Sequence, residues 1–422
     1  MGNLLQKEQP PPVVLVPPLF DFPPLAARTR MLVPAYDFLL GKLARRCLFE
    51  EYFEKAGNFT TSILLKPIDD SHVDLVATVS GPFDPKSGGN VSGDAIFRWQ
   101  RDVDDPNTFM DLYMSSSEQI LRMRSCAYYP KHGMGMFTIL PLLLKKRTCP
   151  EDYGVIGLRY GSGQLSIGTT FTPFSASAEF PNCAWAVGRA GKLTAGIQYK
   201  PLIGSTSREK LNNLINWSCA IGYGLGLTSP LSPSFSFGLE LVKGSQLITS
   251  FYQHAVVQRR VKNPFEEDEV VAITNYIDFG FELATRIQEA NAPNNTESTF
   301  QMAASWQANK NFLIKGKLGP LSSSIALAFK SWWKPAFSFS ISAVKDRAAG
   351  KTSFGFGIRV ENLREASYER ADANYVMLTP TKEHLAGDII QVIGKRPMLQ
   401  SDIAGGNFDK LPRDLRPIGK VL

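Results

Sequence analysis

From Asn58 onward, apolar side chains recur at every second position. Ile215, Trp217, Cys219, Ile221, Tyr223, Leu225 and Leu227 alternate with Asn216, Ser218, Ala220, Gly222, Gly224 and Gly226. A helix would scatter the apolar set around its circumference, whereas a strand gathers all of it on one face. The same period runs through Phe235–Leu241, Ile277–Leu283, Phe300–Trp306, Ile325–Phe329, Phe337–Ile341 and Phe354–Val360. It is weaker at Ile63, Val73–Val79, Ala95–Arg101, Thr108–Met114, Ile120–Tyr128 and from Gly154 to Tyr199. Counted together, these segments predict about nineteen strands of about eight to thirteen residues, close to the length of a membrane-spanning strand. Short connections at Gly161–Gly163, Pro181–Asn182 and Asn309–Asn311 favour antiparallel hairpins over crossover helices. The predicted fold is all-β: a closed transmembrane β-barrel of mostly antiparallel strands.

Outside that region the pattern changes. Residues 1–34 are a Pro-rich leader, expected to be extended or mobile. Over 35–56 the spacing of Leu39, Leu40, Leu43, Cys47 and Phe53, with Lys42, Arg45, Arg46, Glu50 and Glu51 between them, predicts one amphipathic helix from Tyr36 to Lys55. The barrel then occupies 57–362, and a polar tail follows over 363–422.

Periodicity alone does not say which face points inward, so a soluble β-domain with the aromatics in its core stays open beside the membrane barrel. The opposite face favours the barrel. A solvated strand carries Thr, Lys, Glu and Arg, but here many of those positions are Gly, Ala and Ser, which suit the lining of a lumen better. Trp217, Trp306, Trp332, Trp333, Tyr223, Tyr252 and Tyr276 lie on or near strand ends, where interfacial aromatic girdles would stand.

Composition narrows the alternatives further. A hydrophobic content of 44% and a charged content of 20% exclude a disordered chain. The longest apolar run, Met134–Leu144, is interrupted by Pro141 and falls short of the ~20 residues of a spanning helix. The prolines around Val13–Val16 oppose a signal-peptide helix. The five cysteines include no C-x-x-C pair and read as isolated thiols. Gly350-Lys351-Thr352 resembles the end of a phosphate loop, but Lys345 stands where its first glycine belongs, so a turn before a strand is the better reading. The four histidines form no H-E-x-x-H pair and no G-x-S-x-G elbow occurs. We therefore expect no enzyme and no cofactor or metal. The acidic run Glu266–Glu269 reads as a solvated loop or a vestibule.

An N-terminal amphipathic segment followed by about nineteen alternating strands resembles the mitochondrial porins, the voltage-dependent anion channel family. The last strand resembles the sorting signal of mitochondrial outer-membrane barrels, with Ser353, Gly355, Ile358 and Val360 as its polar, glycine and hydrophobic positions. Leader and tail are similar to those of plant-specific porin-like proteins. The resemblance implies the mitochondrial outer membrane, with the chloroplast outer envelope as the alternative. It also implies a lipid bilayer and outer-membrane insertion machinery as partners, no nucleic acid, and passage of small solutes. With the apolar face toward lipid, alternation sends Arg98, Arg159, Glu240, Asp278, Glu282, Arg286, Lys315, Lys317, Lys330 and Arg359 into the lumen. That set and the net charge of +7 favour small anionic solutes. The helix, with Leu39, Leu40 and Leu43 toward the wall and Lys42, Arg45 and Arg46 narrowing the bore, lies inside the barrel or on the membrane surface. A lipid-binding or lipid-transfer barrel is a further alternative.

Overall fold

The computed structural model describes residues 13–14, 30–54, 57–65, 72–83, 90–101, 107–129, 131–144, 150–174, 181–201, 214–225, 233–262, 269–286, 298–309, 311–331, 336–347 and 349–362. The expectations for the tail, Trp332, Trp333, Cys149, 266–268 and most of the leader lie outside these residues.

Nineteen strands make the wall. They are β1 (Asn58–Leu65), β2 (Val73–Pro82), β3 (Ser92–Gln100), β4 (Phe109–Ser115), β5 (Ile120–Tyr129), β6 (Met134–Leu144), β7 (Val155–Gly161), β8 (Leu165–Phe171), β9 (Cys183–Ala190) and β10 (Leu193–Tyr199). There follow β11 (Trp217–Leu225), β12 (Ser234–Val242), β13 (Gln246–Lys262), β14 (Glu269–Arg286), β15 (Thr299–Gln307), β16 (Phe312–Leu318), β17 (Ser322–Ser331), β18 (Ala336–Asp346) and β19 (Thr352–Asn362). Each pairs antiparallel with the next, and β1 pairs parallel with β19 from Phe59–Phe356 to Leu65–Asn362. That seam closes the sheet and leaves it no free edge.

The alternating apolar set faces out. Ile221, Tyr223, Phe237, Leu239, Ile277, Phe300, Ile325, Leu327, Phe354 and Ile358 are all exposed, while inward neighbours such as Ala220, Gly222, Ser236, Ala326 and Ser340 are buried. Odd-numbered strands end at one rim, and there Trp99, Tyr129, Tyr160, Tyr223 and Trp306 project outward as an aromatic girdle. Tyr252 and Tyr276 do not join it. They are buried on the inner wall, because they share the phase of Asp278 and not that of Ile277.

Met134–Leu144, read only as an apolar run, is β6. Its two faces are both apolar because the inward side, including Phe137 and Ile139, packs on the N-terminal segment. The register shifts between Leu121 and Arg122, where Leu143 and Pro141 are their partners on β6. That bulge is where a strand tolerates a proline.

The single long helix expected from Tyr36 to Lys55 is broken into pieces. A 3-10 stretch, Ala35–Gly41, kinks at Leu39 and Leu40, and α1 is confined to Lys42–Glu50. Leu40 at φ 55° and Gly41 at φ 68° turn the chain, so that Leu39 and Leu40 each reach the inner wall. The chain is extended again at Glu51, and Tyr52, at φ 65°, redirects it toward β16–β19.

An arginine on the outer wall would face hydrocarbon if the exposed apolar surface lies in a bilayer. We expect Leu239→Arg to lower unfolding stability in lipid vesicles by about 2–4 kcal/mol. Thr78→Arg, on the inner face of β2, should cost much less when both are measured by urea titration.

Candidate functional site

The inner wall meets residues 31–54, which run around it from β6 to the β18–β19 pair. Met31 packs over Gly135 of β6, and Arg159 of β7 donates to the Val33 carbonyl at 3.2 Å. Tyr36 and Leu39 lie on Gly196 of β10, and Leu40 lies on Gly222 of β11 and Gly238 of β12. Lys42 pairs with Glu240 of β12 at 2.7 Å and Arg45 with Glu282 of β14 at 3.1 Å. Leu48 covers Gly280 of β14. Glu51 then pairs with Arg359 of β19 at 2.6 Å, and Glu54 accepts from Ser340 and Ser342 of β18. The Gly57 N–H finally reaches the Phe354 carbonyl, where the chain turns into β1.

Small inward residues make this fit possible. A Cβ on Gly196 would stand 2.5 Å from Leu39 Cδ1, and one on Gly238 would stand 2.6 Å from Leu40 Cδ1. Elsewhere an inward aromatic occupies the space of a cross-strand glycine: Phe137 over Gly157 and Trp185 over Gly168. Much of the room that the inner glycines provide is therefore filled by apolar side chains and not by water. Met31, Leu32, Tyr36, Leu39 and Leu40 form one buried cluster with Phe109, Phe137, Trp185 and Val187 of the wall.

The helix is held by its ends and one face. Lys315 donates to the Cys47 carbonyl at 2.7 Å and Lys317 to the Phe49 carbonyl at 3.3 Å. Both carbonyls belong to the last turn of α1, where the negative end of the helix dipole favours cations; the Cys47 carbonyl also accepts from the Glu51 N–H at 3.1 Å. Arg46 and Glu50, one turn apart, are exposed on the opposite face. No side-chain description extends to Leu43.

The ten inward-phased residues thus have definite places. Arg159, Glu240, Glu282, Lys315, Lys317 and Arg359 all bind the internal segment. Lys330 pairs with Glu361 at 2.7 Å, and Arg286 stands exposed at the rim. Asp278 accepts from the Tyr252 hydroxyl at 2.8 Å and pairs with His254 at 2.6 Å, with Tyr276 stacked on the imidazole.

Arg98 belongs to a group that the sequence pattern did not reveal. Asp74, Arg98, Asp111 and Arg124 stand directly opposite one another on β2, β3, β4 and β5. Arg98 is 2% exposed and binds Asp111 through Nε and Nη2, at 2.6 and 2.7 Å, while lying 4.1 Å from the Phe109 ring centroid. Arg124 binds the same carboxylate at 3.0 Å, and Arg122 binds Asp152 at 3.0 Å. The charges alternate in sign across four strands, so this arc of wall carries no net charge of its own. Correct register for β3–β5 would have exposed the pattern, but short alternating runs do not fix register.

Four titratable groups of the segment are shifted, among them the Tyr36 hydroxyl, which burial and then Glu240 push up. Burial pushes Asp37 above its ordinary value, against Lys42 and Lys200, and burial lowers Arg45 against the pull of Glu282. Burial raises Glu51, but Arg359 outweighs it and, with Lys315, holds the carboxyl below its usual value. A depressed carboxylate stabilises the seated segment above its unfolded pKa and loses that contribution as pH falls through the seated value. Asp37 has the opposite sign and favours seating on acidification.

Fold and site together define a closed nineteen-stranded β-barrel with an N-terminal segment laid along its inner wall. No protein-family model matches the sequence, and no curated protein matches it either.

Overfilling one contact should unseat the segment. Gly196→Val is expected to cost about 1–3 kcal/mol of seating and to speed alkylation of the buried Cys47 thiol by about five- to 150-fold. For Glu51→Gln, hydrogen exchange over residues 42–54, corrected for intrinsic rates, should be faster than in the unsubstituted protein at pH 7. The difference should shrink as pH falls below the ordinary carboxylate range.

Proposed function

We propose that this protein is a porin-like channel of an organelle outer membrane that passes small polar solutes, with a weak preference for anions, and catalyses no reaction. The observation that carries this reading is the two-sided wall. A closed sheet with a predominantly apolar exterior and a ring of exposed aromatics at one rim suits hydrocarbon outside. Its interior bears charged, hydroxyl and small residues. Every wall strand finds backbone partners on both sides, which hydrocarbon demands.

The nineteen strands and their parallel seam support kinship of topology with the mitochondrial porins. The pattern Ser353, Gly355, Ile358, Val360 lies on β19, with Gly355 inward and Ile358 outward. Both favour the mitochondrial outer membrane, and the chloroplast outer envelope is the other candidate.

The anion preference is weaker than a tally of inward basic residues implies. Glu240, Glu282, Glu51 and Glu361 neutralise Lys42, Arg45, Arg359 and Lys330, and the β2–β5 arc is balanced within itself. Arg159, Lys315 and Lys317, bound to main-chain carbonyls, supply the positive bias, while the exposed Arg46 has Glu50 one turn away. A counter-ion effect of that size steers small anions without binding them tightly. A lipid-transfer barrel is less well supported, since it calls for an apolar, laterally open interior.

Reconstituted full-length protein should conduct across a planar bilayer, with an anion-to-cation permeability ratio modestly above one. Lys317→Glu should bring that ratio toward or below one while conductance persists. A fully inserted protein with no conductance would defeat the channel reading.

A further inference from the structure

Two adjacent strands overrun the barrel. β13 has 17 residues and β14 has 18, against 7 to 11 for the other wall strands. The last partner of β13 on β12 is His254, opposite Ser234, and the last partner of β14 on β15 is Tyr276, opposite Gln307. Beyond those points residues 255–262 and 269–275 pair mainly with each other, as a hairpin standing out from the rim where odd-numbered strands end. The register shifts between Val257 and Gln258, and such a bulge increases the local twist.

A projecting hairpin has two bare edges, each a template for unwanted strand addition. On the β14 side that edge is met by the chain itself. Val13–Val14 pairs in parallel with Ala272–Ile273. Ala272 and Ile273 are 0% and 1% exposed, although they lie past the end of β15. The sequence on either side of Val13–Val16 is Pro10–Pro12 and Pro17–Pro18. Proline has no N–H to donate, so these residues confine the added strand to a few positions and make its outer edge a poor template for another.

We propose that the overhang of β13 and β14 is a docking strand for the leader, and that this contact is a clasp on the internal segment. The bridge lies at the rim near which Met31 and Val33 contact β6 and β7, while the other end of the segment passes into β1 at the opposite rim. Residues 31–54 are thereby anchored at both ends. From Val14 to Met31 an extended chain spans at most about 60 Å, so the leader limits how far the first turn can travel. A segment tethered in this way can bow away from the wall, but its first turn stays within that reach of the bridge. A bridge of two residues is weak enough to open, which makes the clasp releasable.

The test uses the full chain and does not depend on whether the barrel conducts. Val13→Cys with Ala272→Cys should form a disulfide under mild oxidation, because neighbouring strands bring Cα atoms within bridging range. Val13→Cys with Gln258→Cys, one strand further away, should not. Peptide mapping separates these bridges from the native cysteines. Alkylation of Cys47 by a water-soluble maleimide should slow at least fivefold in the cross-linked protein and recover after reduction. In Val14→Pro it should accelerate at least fivefold while the barrel stays protease-resistant. Failure of the 13–272 bridge to exceed the control overturns the docking. A Cys47 rate indifferent to both cross-link and release overturns the clasp.

Discussion

Closure of the sheet is the constraint on which everything else rests. A meander of antiparallel strands reverses direction at each turn, so an odd number brings the last strand back parallel to the first. With nineteen strands the seam has to be parallel, and the flanking chain is distributed accordingly. β1 begins at one rim and β19 ends at the other. The internal segment crosses from the rim near Arg159 to the rim near Phe354 because the chain has to reach the start of β1.

Once closed, the wall has two solvents. The outer face carries large apolar groups, and the inner face is divided in two. From β6 round to β19 it is an adhesive surface, built of glycines, aromatics and charged groups matched to the segment. From β2 to β5 its charges pair across neighbouring strands instead. The division explains why inward arginines and lysines do not simply add up to a basic pore. Desolvating a cation beside a wall is costly unless a carboxylate or carbonyl meets it, and most of those described here are met.

The segment's broken helix follows from the same surface. An unbroken helix from Tyr36 to Lys55 would be a straight rod about 30 Å long, unable to follow a concave wall. Kinks at Leu40–Gly41 and at Tyr52 let three short pieces each lie flush against a different set of strands. Lys315 and Lys317 then bind carbonyls of the last helical turn, and Arg359 holds the Glu51 carboxylate just beyond it.

The sequence by itself determined most of the strands, their approximate number and, in the alternating runs, which side chains share a face. A two-residue period acts through neighbouring positions, and runs such as Phe235–Leu241 and Phe354–Val360 are long enough to declare it. It also placed Arg98, Glu240, Lys315 and Arg359 on the inner face, since they stand between outward apolar residues. β6 shows no alternation because its inward residues, Phe137 and Ile139 among them, are themselves apolar and pack in a cluster with groups from far away in the chain. Only the tertiary structure decided partners. That Asp111 faces Arg98, that Gly196 takes Leu39, and that Val13–Val14 meets Ala272–Ile273 all depend on register and closure. Those are set by the whole ring of strands at once, and no local pattern encodes them.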